Sequence, residues 1–438
     1  MRGWKTLPVL LVLLFTASSS FAAGFRLPEA GVKAMGMGFA FTAQADDPSA
    51  IYFNPAGLTQ LKGQNIMVGV TYVRENGAEF TGTTPVDNNV PIPPGFTNQK
   101  SETQKSLNFF IPNAYYTRTT DSGNVAYGVG IFAPFGLGQE YNNPGTSIFR
   151  NQITKIDLMT VVVNPTIAFK VNEMLSVGFG IDWMYGKAEL AKTPWNPALV
   201  PVAQNGNVFD LKLEGDGDAW GYNFGLQLKP TKNVRIGASY RSPFTLKIKD
   251  GDVTLSNINP GVVPALAGLT TTKGSATISM PATFALGAAY TMGRLTVEAD
   301  ADWTFWHSYN SLPIDFKDNR PVVLPDSNQA KNWKDVVALR LGAEYRVTEP
   351  LALRAGFVYD PTPAPADTLG PELPDATRIN YMVGAGYKVG PWTIDGAFMY
   401  IDKFDRTVNN QSIATLSGFN GTWSGDAWLA GLDVGYHF

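Results

Sequence analysis

The chain has 438 residues, with 34 Lys and Arg against 37 Asp and Glu, a net charge of −3, and no cysteine. A balance without a basic block excludes a nucleic-acid surface, and the lack of cysteine excludes a disulfide framework. Charged residues are only 16% of the chain, while glycines number 44 and aromatics reach 12%, which suits a wall with an apolar outside and a wet inside better than a soluble enzyme.

Residues 1–22 begin with Arg2 and Lys5, pass through an apolar run over 7–17, and end in Ser18-Ser19-Ser20-Phe21-Ala22. This pattern predicts a secretory signal peptide cleaved before Ala23. The run is too short to cross a bilayer as a helix, and no later stretch approaches it. Residues 23–62 then differ from everything that follows. Gly31, Gly36 and Gly38, the run Ala45-Asp46-Asp47-Pro48-Ser49-Ala50, and Asn54-Pro55-Ala56-Gly57-Leu58 set small residues and turns among apolar side chains. We read this segment as a compact plug and residues 63–438 as the wall built around it.

The wall declares itself by alternation. Leu175, Val177, Phe179, Ile181, Trp183 and Tyr185 share one face of a strand, opposite Ser176, Gly178, Gly180 and Asp182. The pattern returns at 295–305, with Trp303 and Phe305 on the apolar face and Glu298, Asp300 and Asp302 on the other. It returns again at 336–346, where Arg340, Glu344 and Arg346 turn away from Leu339, Leu341 and Tyr345. Strands 351–359 and 379–389 keep Arg354, Arg378 and Lys388 off the apolar face. Acidic and basic rows on neighbouring strands predict a charged lumen, since such groups are costly against lipid. Short turns at 121–124, 172–174, 231–233, 292–293, 348–350 and 390–391 alternate with long Pro-, Gly-, Asn- and Thr-rich stretches at 82–104, 192–206, 251–272, 308–330 and 361–376. The predicted fold is all-β: a fourteen-stranded antiparallel transmembrane barrel with both ends on the short-turn side. The final strand carries Trp428, Ala430, Leu432, Val434, Tyr436 and the terminal Phe438 on one face. An aromatic end of this kind resembles the signal read by the outer-membrane barrel assembly machinery.

The segment Ala23-Gly24-Phe25-Arg26-Leu27-Pro28-Glu29, followed by Ala45 to Leu58, resembles the hatch of the FadL-type long-chain fatty acid transporter family. Gly128-Val129-Gly130-Ile131-Phe132-Ala133-Pro134-Phe135-Gly136-Leu137 is similar to that family's third strand, and Trp333-Lys334-Asp335, Arg340-Leu341-Gly342, Arg354-Ala355-Gly356 and Pro374-Asp375-Ala376-Thr377-Arg378 to its C-terminal third. Thr42-Ala43-Gln44 departs from the family, which has glycine there. The resemblance implies passive uptake of a hydrophobic small molecule across a Gram-negative outer membrane. Fatty acid is the first expectation and a monoaromatic hydrocarbon the alternative. It further implies that Phe132, Ala133, Pro134, Phe135 and Gly136 form an inward kink opening the wall laterally. Asn54, Pro55 and Ala56 would couple the hatch to that kink, and Phe25 would plug an inner pocket. On the residues alone, Pro134 could equally end a strand, because proline gives the ladder no N–H.

A fatty acid carboxylate in an apolar pocket needs a cationic or strongly hydrogen-bonding partner. Arg340, Arg354, Arg378, Lys334 and Lys331 are the candidates, and each could instead belong to the lumen's ion pairs. Two other classes of protein make different demands. A hydrolase would need a nucleophile with a positioned base; His307 is the one histidine near a serine, Ser308, and no Gly-x-Ser-x-Gly surrounds it. A structural or adhesive barrel would not need a plug. The reading therefore expects no enzyme, cofactor, metal or nucleic acid. Its expected partners are a hydrophobic ligand, outer-membrane lipid with lipopolysaccharide, and the assembly machinery, around a monomer.

Overall fold

Alternation at 175–186 extends, in a computed structural model of the chain, to an 18-residue strand over Leu175–Lys192. The structure describes residues 24–83, 100–194, 209–258, 263–320, 324–409 and 419–438. The signal peptide, its cleavage site and parts of four of the long stretches (82–104, 192–206, 251–272 and 308–330) lie outside the described residues.

Fourteen strands form the wall. They are β1 (Gln64–Glu75), β2 (Leu107–Thr119), β3 (Val125–Phe132, resumed at Gly136–Glu140), β4 (Lys155–Lys170) and β5 (Leu175–Lys192). Next come β6 (Asp210–Leu228), β7 (Val234–Arg241, resumed at Phe244–Ser256), β8 (Thr271–Met280, resumed at Thr283–Met292) and β9 (Leu295–Thr304). The circuit is completed by β10 (Val336–Arg346), β11 (Leu351–Asp360), β12 (Arg378–Val389), β13 (Trp392–Lys403) and β14 (Asp426–His437). Each pairs antiparallel with its neighbours, and β14 returns to β1, Ile66 opposite Tyr436 and Glu75 opposite Ala427. Closure leaves no open edge, the condition for a sheet to stand in lipid. The outer face is apolar as read: Ile181, Leu339 and Leu341 are 47%, 54% and 51% exposed, while Glu298, Asp300 and Asp302 are buried on the inside.

Stretches 251–272 and 308–330 were expected to be loops, yet part of each is strand. β7 runs on to Ser256, β8 begins at Thr271, and Ser311–Phe316 pairs with Ser327–Ala330 as a hairpin that adds to the outer part of β8, Gly274 opposite Phe316. The apolar residues of that hairpin (Leu312, Ile314 and Phe316) alternate and are buried, but the surrounding Asn, Asp and Pro hid the period. Above the wall, Glu79–Thr83, Lys100–Thr103, Arg406–Val408 and Asn420–Ser424 make a separate four-stranded sheet. Its inner side packs Phe80 against Phe149, Phe419 and Trp423.

Residues 24–62 lie inside the wall, as two short helices (α1, Val32–Gly36; α2, Ala50–Phe53) and a 3-10 turn at Pro55–Gln60. So short a segment cannot satisfy its own backbone, and inward-facing carboxylates do it instead. Val32 N–H donates to Asp433 at 2.6 Å. Phe41 and Thr42 donate to Asp300, each at 3.0 Å, and Ala43 and Gln44 to Glu298 at 2.6 and 2.9 Å. Part of the glycine content serves this contact. Gly38 takes a φ of +64° and lies so close to Gly356 of β11 that a Cβ on Gly356 would overlap the Gly38 nitrogen.

Candidate functional site

Among the interrupted strands of the wall, β3 breaks between Phe132 and Gly136. Phe132 pairs with Val162 and Gly136 with Met159, so β3 spends one more residue than β4 on the same span. Pro134 has no N–H to give the ladder, and the surplus is taken up at Ala133, Pro134 and Phe135. The N-terminal segment replaces the missing partner: Leu27 N–H donates to the Pro134 carbonyl at 2.8 Å and Gly136 N–H to the Phe25 carbonyl at 2.9 Å. On the β4 side, the Thr160 hydroxyl accepts from Phe135 N–H at 3.1 Å and donates to the Phe135 carbonyl at 2.6 Å. Phe132, Ala133 and Phe135 are all buried, so the displaced stretch points into the barrel.

Beside it lies a small apolar pocket between the outer halves of the strands, lined by Leu158, Leu190, Leu213, Ile278 and Ile314 among others, with Phe25 on one wall. The Phe25 ring sits in an aromatic box, 4.8 Å from Trp306, 5.2 Å from Tyr309 and 5.7 Å from Trp333 between centroids. Phe135 closes the fourth side at 6.1 Å. Burial pushes the Tyr309 phenol up to about 12; Lys331 pulls it partly back and Glu372 adds to the rise. The hydroxyl there is neutral at any ordinary pH. Lys192, at the outer end of β5, borders a smaller pocket that shares Leu190, Leu213 and Ile314 with the first.

Four of the five candidate cations already have carboxylate partners. Arg340 pairs with Asp302 at 2.7 Å, and Arg354 with Glu344 at 2.7 Å and Asp395 at 2.6 Å. Arg378, fully buried, pairs with Asp360 at 2.8 Å, and Lys331 pairs with Glu372. For Lys331, burial pulls the ammonium down but Glu372 outweighs it and the net shift is upward. Lys334 is exposed. The alternating rows are real for Asp302 and Glu344, which bind arginines, whereas Glu298 and Asp300 are turned to the backbone of the N-terminal segment.

Asn54, Pro55 and Ala56 make their turn as read: the Asn54 side chain accepts Ala56 N–H at 3.2 Å and donates to Thr42 and Leu226 carbonyls at 2.7 and 3.0 Å. Their wall contacts are to Gly178 of β5 and Gly225 of β6. The side chain that meets the interruption is Tyr52, whose ring is 5.1 Å from Phe132. His307 bonds Asp335 through Nδ1 at 2.8 Å, and the Ser308 hydroxyl donates to the Phe305 carbonyl, so Ser308 is not poised on that imidazole. At the other end Tyr436 and the terminal Phe438 form a ring pair at 4.7 Å, with Phe438 among the exposed aromatics beside the lipid-facing surface.

Two cations carry no signal in the sequence pattern. Arg26 donates to Asp302 at 2.9 Å and to the Thr304 hydroxyl at 3.1 Å, joining the N-terminal segment to β9. Arg241 binds both oxygens of Asp182 at 2.6 Å and lies over the Tyr52 and Phe132 rings at 5.3 and 5.1 Å. Arg241 stands on the inner face of β7 at the strand's break, where the period is lost.

The long-chain fatty acid transport protein of Escherichia coli O6:H1 is 25% identical to this chain over 466 residues, covering 99% of this chain and 98% of its own length. A solved FadL homologue from Pseudomonas aeruginosa superposes with a TM-score of 0.79 at 21% identity, over 95% of this chain and 100% of that one. The Ralstonia pickettii toluene transporter TbuX superposes with a TM-score of 0.65 at 22% identity, over 95% and 99%. The model of the outer membrane protein transport family (OMPP1/FadL/TodX) matches residues 13–438. The chain therefore belongs to that family, as an outer-membrane barrel that transports hydrophobic compounds across the Gram-negative outer membrane.

Proposed function

We propose that this barrel takes up long-chain fatty acids passively, and that residues 23–62 are a hatch whose shift opens the way. The observation that carries the reading is the apolar cavity beside the β3 interruption, with Phe25 of the N-terminal segment seated between the two. A chain entering from outside meets Lys192 with its carboxylate and Leu190, Leu213 and Ile314 with its tail. It then displaces Phe25 and leaves sideways past Pro134 into the membrane. This avoids a long aqueous path, along which an alkyl chain would lose about 0.8 kcal/mol per exposed CH₂.

A second reading is uptake of a monoaromatic hydrocarbon, favoured by the box of Trp306, Tyr309 and Trp333 that already holds one phenyl ring. Binding of labelled oleate and labelled toluene to the purified, detergent-solubilised protein separates them. Oleate bound and toluene not supports the fatty acid reading; the reverse supports the hydrocarbon. Binding of neither would remove both readings of the cargo.

A further inference from the structure

Trp306-His307-Ser308 is a single 3-10 turn beyond the outer end of β9, closed by the Tyr309 N–H on the Trp306 carbonyl at 2.8 Å. Side chains three residues apart in such a turn stand one above the other. Trp306 and Tyr309 are accordingly both buried, with ring centroids 4.8 and 5.2 Å from that of Phe25, while His307 between them is exposed. With Trp333 they make three sides of the aromatic box. Tyr309 also borders the apolar pocket, so a molecule lodged there meets the box directly.

Each of these two side chains brings a polar hydrogen to the box. The Trp306 Nε1–H is buried and has no acceptor among the described residues. The Tyr309 hydroxyl, kept neutral by burial, has none among them either. Lys331 and Glu372, the charged groups that act on that phenol, pair with each other. The Phe25 ring fills the box with apolar surface and carries no acceptor atom. A buried donor without a partner is unfavourable, and two of them around one ring-sized space call for a ring with an oxygen on it. An ionised headgroup is a poor match, because neither donor brings a charge to offset its desolvation.

We propose that this box binds an aromatic ring carrying a neutral acceptor oxygen, as in a phenol, an aryl ketone or an aryl ester, with the Trp306 N–H and the Tyr309 O–H as its donors. The inference rests on the uptake reading above and deepens its second form: the aromatic cargo is an oxygenated one. A bare hydrocarbon occupies the box as Phe25 does and leaves both donors idle.

The test measures binding of labelled acetophenone and labelled ethylbenzene, close in size and differing in the carbonyl oxygen, to the purified full-length barrel and to its Tyr309→Phe and Trp306→Phe variants. The ratio of the two affinities is the readout, since lost packing weakens both ligands together and cancels. Each variant is expected to shift that ratio against acetophenone by about threefold to tenfold, the scale of one net hydrogen bond. Ethylbenzene should bind Tyr309→Phe as tightly as wild type, which certifies the fold. A ratio that either variant leaves unchanged overturns the inference and leaves uptake standing, as does a wild type that binds oleate but neither aromatic. Failure to bind oleate as well overturns both.

Discussion

The Glu298 carboxylate lies 2.6 Å from the Ala43 N–H, tying the middle of β9 to the segment buried inside the wall. With Asp300 it receives four successive backbone N–H groups, from Phe41 to Gln44. Leaving a buried N–H unmet costs about 1–3 kcal/mol. Glu298→Ala is therefore expected to loosen the segment without opening the barrel. A cysteine placed at the buried Ser49 of this cysteine-free chain reports it. Its labelling should quicken by about tenfold or more relative to the same cysteine with Glu298 in place. Equal rates would mean that the carboxylates do not hold the segment.

Phe25→Ala should tighten ligand binding. The ring has three aromatic neighbours within 6 Å, each contact being worth about 0.5–1.5 kcal/mol. A ligand entering the box must displace that ring. With the ring gone, oleate is expected to bind about tenfold more tightly. Weaker binding would mean that Phe25 contacts the ligand rather than excluding it.

Arg378→Ala should cost stability and leave the ligand alone. Arg378 is fully buried on Asp360, and breaking a buried pair costs about 3–5 kcal/mol. The midpoint of urea unfolding should fall while oleate affinity holds. A lost affinity in a barrel of normal stability would move Arg378 from scaffold to ligand site.

Tyr309 gives a pH signature. A free phenol ionises near about 10; burial holds this one neutral to about 12. Because the folded value is raised, the stabilising neutral form is complete below about 10 and is lost only as pH climbs through about 12. Oleyl alcohol binding should stay flat from about pH 8 to about 10.5, in wild type and in Tyr309→Phe alike. A fall near pH 10 confined to wild type would show the phenol ionising beside the ligand.

Much of the barrel is legible in the amino-acid sequence. Leu175 to Tyr185 mark a strand because every second side chain faces lipid, and Arg340 and Asp302 mark a charged lumen because lipid excludes them. The β3 interruption is expected only through the resemblance of residues 128–137 to the family's third strand, since Pro134 by itself could equally end a strand. What stays hidden depends on contacts across the whole chain. Glu298 looks like one more rung of an ion-pair row, and nothing local says that it serves Ala43, 255 residues earlier. The hairpin at Ser311–Phe316 is masked because its alternation is short and flanked by Asn, Asp and Pro, and its pairing to β8 is set by the fold. Arg26 stands among its neighbours as an ordinary charged residue of the N-terminal segment. Its meaning comes from Asp302, which only the folded barrel brings beside it.

Straightening β3 is the sharpest test of lateral exit. Removing Ala133 and replacing Pro134 with Val takes away the surplus residue between Phe132 and Gly136 and restores the missing N–H, so the ladder to β4 can close. Oleate binding by the purified variant and oleate uptake by cells carrying it are then measured side by side, at equal amounts of assembled barrel. If cargo leaves through the wall, binding persists while uptake falls to the level of cells without the protein. Uptake at the wild-type rate through a closed wall would contradict lateral exit.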